Sequence, residues 1–413
     1  MKYYPLRPIQ RWLIDTHFNK AKSTMMNIGG LYRLSSQINV QRLEKAINEI
    51  LNTYDIFRCR LAFHPETCDL CQTFDGEVMP VVVEEWTDEE FQLIQKYLSE
   101  PYDLVGKPLY RVYIFKTPNA NYLYVDFYHA IMDGVASAML FVREIDKNYR
   151  GRKSQRKPSS YAAFIEEEAN TPLETLAEGH AYWEKMLAPF NAKKHLLPVD
   201  VEGVAAWTQG KFDHEFKNIS NEFFRSSHLS EHIYFLGASM LTLAKITKSK
   251  ESIMSWIHNG RTNMYERRLM GLMLEQFPCS WDFHKDILVG EFLDKLFGQT
   301  QISMTYRKSL STVYNSGLED DCVSFIFQKS FRDDLILGDM SAEAVYLPPN
   351  EISAAENALD IEVLENDKGF YDLFLDYDAS RYSETAIKNF AETMDEILLA
   401  MQNLNARTSE ILE

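Results

Sequence analysis

Segments with the pattern of strands and segments with the pattern of helices alternate along this chain in two stretches, residues 26–149 and residues 210–404. Residues 122–127 alternate between apolar and more polar side chains, which predicts a half-buried strand. Residues 40–54 place apolar side chains at helical spacing behind Asn39, a residue type that caps helices. Alternating strands and helices in both stretches predict an α/β or α+β class, and we expect α/β.

The length of the chain implies more than one hydrophobic core. Its 413 residues exceed the roughly 100–200 that one domain usually contains. Residues 151–160 are polar and basic, and we interpret them as a linker or crossing segment. The length therefore predicts two or three domains.

Charge and composition exclude several classes of partner. The net charge of -17 disfavours nucleic acid and anionic membranes, because phosphate binding needs clustered Lys and Arg. No apolar run approaches the ~20 residues that span a bilayer. Five cysteines fit a reducing cytoplasm, and the single CxxC pair, Cys68 and Cys71, lacks the second pair of a zinc site. We expect a cytoplasmic protein without a bound metal.

Residues 128–134, with the sequence YHAIMDG, are the segment most suggestive of chemistry. They follow a predicted strand and precede a predicted helix. His129 could accept a proton near pH 7 without a large pKa shift. Asp133 could brace the loop by pairing with an arginine, and Gly134 removes a side chain where the backbone turns sharply or is closely approached.

A purely structural interpretation of the same segment is equally open from these residues alone. Asp-Gly is a common turn signal, and a histidine at a strand end can simply cap a helix. The sequence contains no competing motif of the Walker A, Gly-x-Gly-x-x-Gly, His-Glu-x-x-His or Gly-x-Ser-x-Gly type.

Several segments together resemble condensation domains of nonribosomal peptide synthetases, in the chloramphenicol-acetyltransferase-like superfamily. Residues 128–134 look like the HHxxxDG motif of that family, with Tyr128 in place of the first histidine. Each match is weak alone, but their order and spacing are those of the family. The matching segments are residues 4–11, 54–60, 101–104, 108–112, 128–134, 182–183, 260–261, 271–278 and 371–378.

The resemblance implies a fold and a reaction. Residues 1–170 would form an acetyltransferase-like lobe with the catalytic loop, and residues 171–413 a second such lobe with crossover segments. The two would meet in a V with a central tunnel. An amine on an aminoacyl peptidyl carrier would attack an acyl thioester held on an acyl carrier or on coenzyme A. Substrates would travel on phosphopantetheine arms, with no permanently bound cofactor, in a monomer that serves antibiotic or secondary-metabolite biosynthesis.

The resemblance also assigns roles to single residues. His129 takes the place of the histidine regarded as catalytic. Asp133 would pair with Arg58 to hold the loop, and Gly134 would leave space beside its backbone. Tyr128 would keep a structural role. No residue is assigned to a metal or to a bound cofactor.

Related activities of the same fold fit less well. An epimerization domain would carry a glutamate ahead of Gly260 and Arg261, where this chain has the sequence IHN. A cyclization domain would replace the motif with aspartates, and His129 argues against that. A free-standing acyl-coenzyme A-dependent acyltransferase and a catalytically inactive docking domain both stay open.

The position of the opening motif favours one subtype. Residues 4–11 begin almost at the first residue given, and residues 406–413 resemble the run into an adenylation domain. We therefore expect a starter condensation domain that acylates the first residue of a nonribosomal peptide, with an adenylation domain downstream.

Overall fold

The computed structural model describes residues 2–20, 24–94, 98–152, 158–188, 196–316, 322–329, 335–345, 347 and 354–413. These residues form two compact units. The first contains the described residues of Met1–Asn170, Asn259–Leu274 and Arg332–Ser353, and the second those of Thr171–His258, Glu275–Phe331 and Ala354–Glu413. The predicted second domain, residues 171–413, therefore needs a correction, because two of its segments pack into the first unit.

The first unit is built on a six-stranded sheet and a separate two-stranded one. In the large sheet the strand order is β11-β12-β1-β6-β5-β4, antiparallel except for β4 beside β5. The small sheet is the antiparallel pair β2-β3. The strands are β1 Asn27–Leu34, β2 Arg60–Phe63, β3 Leu70–Thr73, β4 Val82–Glu85, β5 Tyr110–Lys116, β6 Asn121–Tyr128, β11 Leu335–Leu337 and β12 Met340–Val345.

Five helices of the described residues accompany these sheets, and local capping explains where two of them begin. The Asn39 side chain accepts a hydrogen bond from Arg42 N at the start of α2, and Ser160 does the same for Ala163 N at the start of α5. The helices are α1 Pro8–Asn19, α2 Val40–Thr53, α3 Asp88–Ile94, α4 Met139–Tyr149 and α5 Tyr161–Ala169.

The second unit has its own six-stranded sheet, in the order β7-β14-β13-β10-β8-β9. Strand β10 runs parallel to both β8 and β13, and the outer pairs are antiparallel. The strands are β7 Gln209–Ser220, β8 Glu251–His258, β9 Glu275–Asp282, β10 Val323–Gln328, β13 Leu359–Glu365 and β14 Phe370–Asp378. The helices are α6 Leu173–Leu187, α7 Asn221–Ser227, α8 Glu231–Thr247, α9 Val289–Thr305, α10 Ser311–Tyr314, α11 Glu384–Ala400 and α12 Thr408–Leu412.

The predicted α/β class is confirmed, with one mixed sheet and its helices in each unit. Helix α8 is buried along most of its length and lies at the centre of the second unit's core. No helix in the described part of the chain is both long enough and apolar enough to cross a bilayer. The interpretation of residues 151–160 as a linker falls partly outside the described residues.

Candidate active site

The segment 128–134 forms a tight turn between β6 and α4 of the first unit. Strand β6 ends at Tyr128, and a 3-10 turn follows at His129–Ile131. A π-helical turn at Gly134–Ala138 then leads into α4. Short π-helical insertions are frequently found at functional sites in proteins. His129 N donates to Met26 O at 2.8 Å, so the backbone of the turn is held by the segment that enters β1.

The His129 ring is held in one tautomer by a backbone carbonyl. Its Nδ1 lies 3.0 Å from Met132 O. Because a carbonyl oxygen only accepts hydrogen bonds, the proton belongs on Nδ1 and the lone pair on Nε2. Within the described residues Nε2 makes no hydrogen bond. The ring is half-buried, and burial lowers the pKa of His129, with the nearby Asp133 charge opposing the effect. The neutral imidazole with a basic Nε2 therefore predominates at pH 7.

Asp133 faces the interior of the first unit. Its Oδ2 accepts from Arg261 Nη1 at 2.7 Å and from Met273 N at 2.9 Å, and its Oδ1 accepts from Ser137 N at 2.7 Å. These three donors occupy both carboxylate oxygens. Asp133 thus ties the turn after β6 to residues 259–274 of the same unit.

The predicted ion pair between Asp133 and Arg58 is wrong. Arg58 lies in the 3-10 turn Asp55–Arg58, and its Nη1 donates to Asn52 O at 3.1 Å in an exposed hydrogen bond. Arg261 takes the predicted role instead. The segment around Arg261 packs against the turn that carries Asp133, whereas the turn that carries Arg58 directs the guanidinium to the backbone at the end of α2.

Arg261 is buried and also donates hydrogen bonds to backbone and hydroxyl oxygens beside the ion pair. Its Nη1 donates to Asn259 O at 2.9 Å, and its Nη2 donates to Ser137 Oγ at 2.6 Å. The Ser137 hydroxyl in turn donates to Gly271 O at 2.7 Å. Gly260 and Arg261 form a segment that matches the family, but the sequence predicts no role for either residue, and Ser137 carries no motif that would predict its role.

Two glycines allow the backbone of residues 259–274 to pack closely against neighbouring groups of the first unit. Gly260 has a φ of +67° and Gly271 a φ of +153°, both in the range that favours glycine. A Cβ on Gly260 would overlap Met273 O, and a Cβ on Gly271 would overlap the Tyr161 ring. A Gly-Arg pair between two strands was the available sequence signal for this brace.

Gly134 has open space beside it. Among the described residues no heavy atom lies within 4 Å of the position that a Cβ would occupy, and its φ is not in the positive range. Neither a strained turn nor a close approach by the described protein therefore requires glycine here. The space that sequence reasoning expected is present, and its use by a substrate remains a prediction.

Tyr128 is a core residue of the first unit. Its ring is fully buried and makes edge or tilted contacts with His17 and Tyr102. Its hydroxyl donates to Leu13 O at 3.4 Å, a long hydrogen bond, and burial raises the pKa of the phenol. Burial among aromatic rings fits the structural role that the resemblance implies for Tyr128.

The described residues contain no group of three His, Cys, Asp or Glu side chains that could bind a metal ion. What the arrangement offers is a neutral imidazole on a tightly held turn. A neutral imidazole can act as a general base when it is positioned within hydrogen-bonding distance of a substrate proton.

Comparison with known proteins identifies the family. The model of the condensation domain family matches residues 1–412, so the chain belongs to the condensation domains. Surfactin synthase subunit 2 of Bacillus subtilis (strain 168) is 22% identical over 448 residues, which cover 99% of this chain and 12% of that protein. The curated relatives are much longer, and this chain spans between 3% and 12% of their length.

Solved structures show the same fold. The condensation domain from the monacolin K polyketide synthase MokA superposes with a TM-score of 0.80 at 18% identity, covering 99% of both chains. The starter condensation domain of the rhizomide synthetase RzmA superposes with a TM-score of 0.76 at 14% identity, covering 100% of this chain and 98% of that one. Condensation domains are acyl or peptidyl transferases that form amide bonds, and they work with carrier domains.

Proposed function

We propose that this chain catalyses amide-bond formation between an acyl thioester and the amine of an aminoacyl group held on a peptidyl carrier. The observation that carries the proposal is the fixed tautomer of His129. Its Nδ1–H is bound to Met132 O, so Nε2 is left to accept a proton. Both oxygens of Asp133 are occupied within the protein, which leaves His129 as the acid–base group of the turn.

The reaction proceeds in two stages around one proton. The amine nitrogen attacks the thioester carbonyl carbon and forms the C–N bond, which makes the nitrogen of the adduct acidic. His129 Nε2 takes that proton. The C–S bond then breaks, the sulfur leaves as a thiolate, and the imidazolium returns the proton to it. The products are an amide and a free thiol on the donor arm.

His129 need not create the nucleophile. An α-amine with a pKa of about 7.7–8.0 is roughly a tenth or more neutral at pH 7. The base is needed when the adduct forms, and help of that kind is worth about 10²- to 10⁴-fold. Positioning of two tethered substrates supplies a comparable or larger share.

We propose further that the donor is a fatty or other acyl group, so that the reaction is the N-acylation that initiates a lipopeptide. The support is the likeness to the starter condensation domain of rhizomide synthetase, a variant of which was solved in complex with C8-CoA and Leu-SNAC. The donor would arrive on an acyl carrier or on coenzyme A, and the phosphopantetheine arms belong to the carriers.

A single-turnover assay followed by intact-protein mass spectrometry tests both proposals, amide-bond formation and the use of an acyl donor. The chain is mixed with an aminoacyl peptidyl carrier and with acyl carrier, acyl-coenzyme A or aminoacyl carrier as donor. Acylation of the acceptor from an acyl donor supports the starter reaction. Product only from an aminoacyl carrier would replace it with ordinary peptide condensation. Product from acyl-coenzyme A with a free amine or alcohol, and none on a carrier, would indicate a free-standing acyltransferase. No product with any donor would leave a docking domain as the better account.

A further inference from the structure

Two buried glutamines lie beside the catalytic turn in the first unit. Gln10 on α1 is 1% exposed, and Gln72 on β3 is 0% exposed. A buried amide without hydrogen bonds lowers the free energy of unfolding by about 1–3 kcal/mol, so both side chains are expected to have hydrogen-bond partners.

The two amides bind each other and use their remaining hydrogen-bonding atoms on the backbone. Gln10 Nε2 donates to Gln72 Oε1 at 3.2 Å, and Gln72 Nε2 donates to Gln10 Oε1 at 3.0 Å. Gln72 Nε2 also donates to Pro5 O at 2.8 Å, and Arg7 N donates to Gln10 Oε1 at 3.0 Å. Gln10 Nε2 also donates to Ala130 O at 2.8 Å.

This pattern permits only one orientation of the Gln10 amide. If nitrogen and oxygen were exchanged, the oxygen would face the carbonyl of Ala130 and the NH₂ group would face the N–H of Arg7. Gln10 is therefore a directed donor to Ala130 O, fixed by Gln72 on one side and by the start of α1 on the other.

The carbonyl that Gln10 binds belongs to the residue after His129. His129 N is held by Met26 O, and the His129 ring is held by Met132 O two residues beyond Ala130. The peptide that carries Ala130 O connects these two anchors. A rotation of that peptide would move Met132 O relative to the ring, and the tautomer and direction of Nε2 would change with it.

We propose that Gln10 is a positioning residue, whose amide holds the Ala130 carbonyl and thereby the orientation of the His129 ring. The inference rests on the proposed function, in which Nε2 of His129 accepts the proton. Gln72 holds Gln10 and has no contact of its own with the turn's backbone among the hydrogen bonds of the described residues.

Matched substitutions separate positioning from general stability. Methionine is unbranched, similar in length to glutamine and unable to donate. We expect Gln10→Met to lower kcat by about 10- to 100-fold with KM little changed, the loss typical of a small misplacement of a catalytic group. Gln72→Met should lower the melting temperature comparably but kcat much less, because Ala130 O keeps its donor. Equal losses of kcat in the two variants would overturn the proposal.

The double variant with His129→Ala provides the decisive comparison. If Gln10 acts through His129, Gln10→Met adds no further loss once the imidazole is gone. Losses that multiply would show an independent, merely structural effect. Should Gln10→Met fail to fold, Gln10→Asn serves in its place, since it keeps an amide that is one methylene too short to reach Ala130 O.

A measurement without substrate distinguishes failure of this inference from failure of the proposed function. Burial lowers the pKa of His129, so release of the turn should let that pKa rise toward about 6.5 in an NMR titration of Gln10→Met. A raised pKa in an enzyme whose wild type makes no amide would refute the function and support the positioning. An active wild type, with the pKa and kcat of Gln10→Met unmoved, would refute the positioning alone.

Discussion

Asp133 and Arg261 form a buried ion pair between residues 128 positions apart in the sequence, with 2.7 Å between Oδ2 and Nη1. The pair connects the turn that carries His129 to a segment that reaches the first unit from within the second half of the chain. Both side chains are buried, so neither charge has water as an alternative partner.

Removal of either partner should destabilise the protein severely. Breaking a buried ion pair costs about 3–5 kcal/mol, because the remaining charge is left unpaired. We expect Asp133→Ala and Arg261→Met each to lower the free energy of unfolding by about that amount, as measured by chemical denaturation, and to lower amide formation as well.

Arg58→Ala is the matched control for that pair. Its guanidinium makes an exposed hydrogen bond to Asn52 O, and exposed contacts contribute little. The free energy of unfolding of this variant should lie within about 0.5 kcal/mol of the wild-type value, and its rate of amide formation should be unchanged. A severe loss in Arg58→Ala with a mild one in Arg261→Met would contradict the assignment of the brace.

Substitution of His129 should remove most of the proposed general base catalysis. We expect His129→Ala to lower the rate of amide formation by about 10²- to 10⁴-fold, measured with loaded carriers in single turnover. His284→Ala, at a side chain that is 64% exposed in the second unit, should leave the rate unchanged. Near-full activity of His129→Ala would refute the role of His129 as a base.

The pH dependence of the rate should follow the lowered pKa of His129. Burial disfavours the imidazolium, so His129 stays neutral down to a pH below its ordinary value of about 6.5. The acid limb of kcat in the substrate complex should therefore lie below pH 6.5, and it should vanish in His129→Ala. The free energy of unfolding should fall with the pH as well. The pKa of His129 is higher in the unfolded chain than in the folded one, so protonation as the pH falls through this range favours the unfolded chain. A limb above pH 7 that depends on His129 would contradict this reasoning.

Replacement of Tyr128 by phenylalanine should be nearly silent. Among the described residues, the phenol's one hydrogen bond is the 3.4 Å contact to Leu13 O, so we expect a change in unfolding free energy below about 1 kcal/mol and an unchanged rate. Tyr128→His would restore the family's usual residue but leave a polar ring in an aromatic pocket, and it should lower the melting temperature without raising the rate. A large rate loss in Tyr128→Phe would show that the phenol takes part in chemistry.

Asp126 should make stability depend on pH in the opposite direction to a typical surface carboxylate. It accepts from Arg111 Nη1 at 3.2 Å and from Asn27 Nδ2 at 3.1 Å, yet burial raises its pKa to about 6. Because the folded state binds the proton more tightly, this contribution to stability is complete below the unfolded pKa of about 3.9 and is lost as the pH rises through 6. The stability of the wild type relative to Asp126→Asn, measured as a difference in melting temperature, should therefore fall between pH 4 and pH 7.

The sequence predicted the elements whose signals are local. The helix predicted behind Asn39 is α2 Val40–Thr53, and the strand predicted at residues 122–127 lies within β6 Asn121–Tyr128. Strand β12 was missed, since it has little alternation and gains its place by pairing with β1, far away in the sequence.

The site shows the same division between local and distant signals. The family motif predicted His129 and its surroundings, and the chemistry of Asp133 predicted an arginine partner. The sequence did not identify which arginine pairs with Asp133. The choice depends on how residues 259–274 pack, and no spacing rule relates residues that are 128 positions apart. Gln10 lies in the matching segment 4–11, but its hydrogen bond to Ala130 O exists only in the folded chain.

The return of residues 259–274 and of strand β12 to the first unit limits how this domain can be recombined. A chimera joined at residue 170 would inherit His129 from one parent and the arginine that neutralises Asp133 from the other. It would also pair β1 with a foreign β12. Exchange of substrate specificity between such domains therefore calls for five junctions, which keep both inserted segments with the unit they complete.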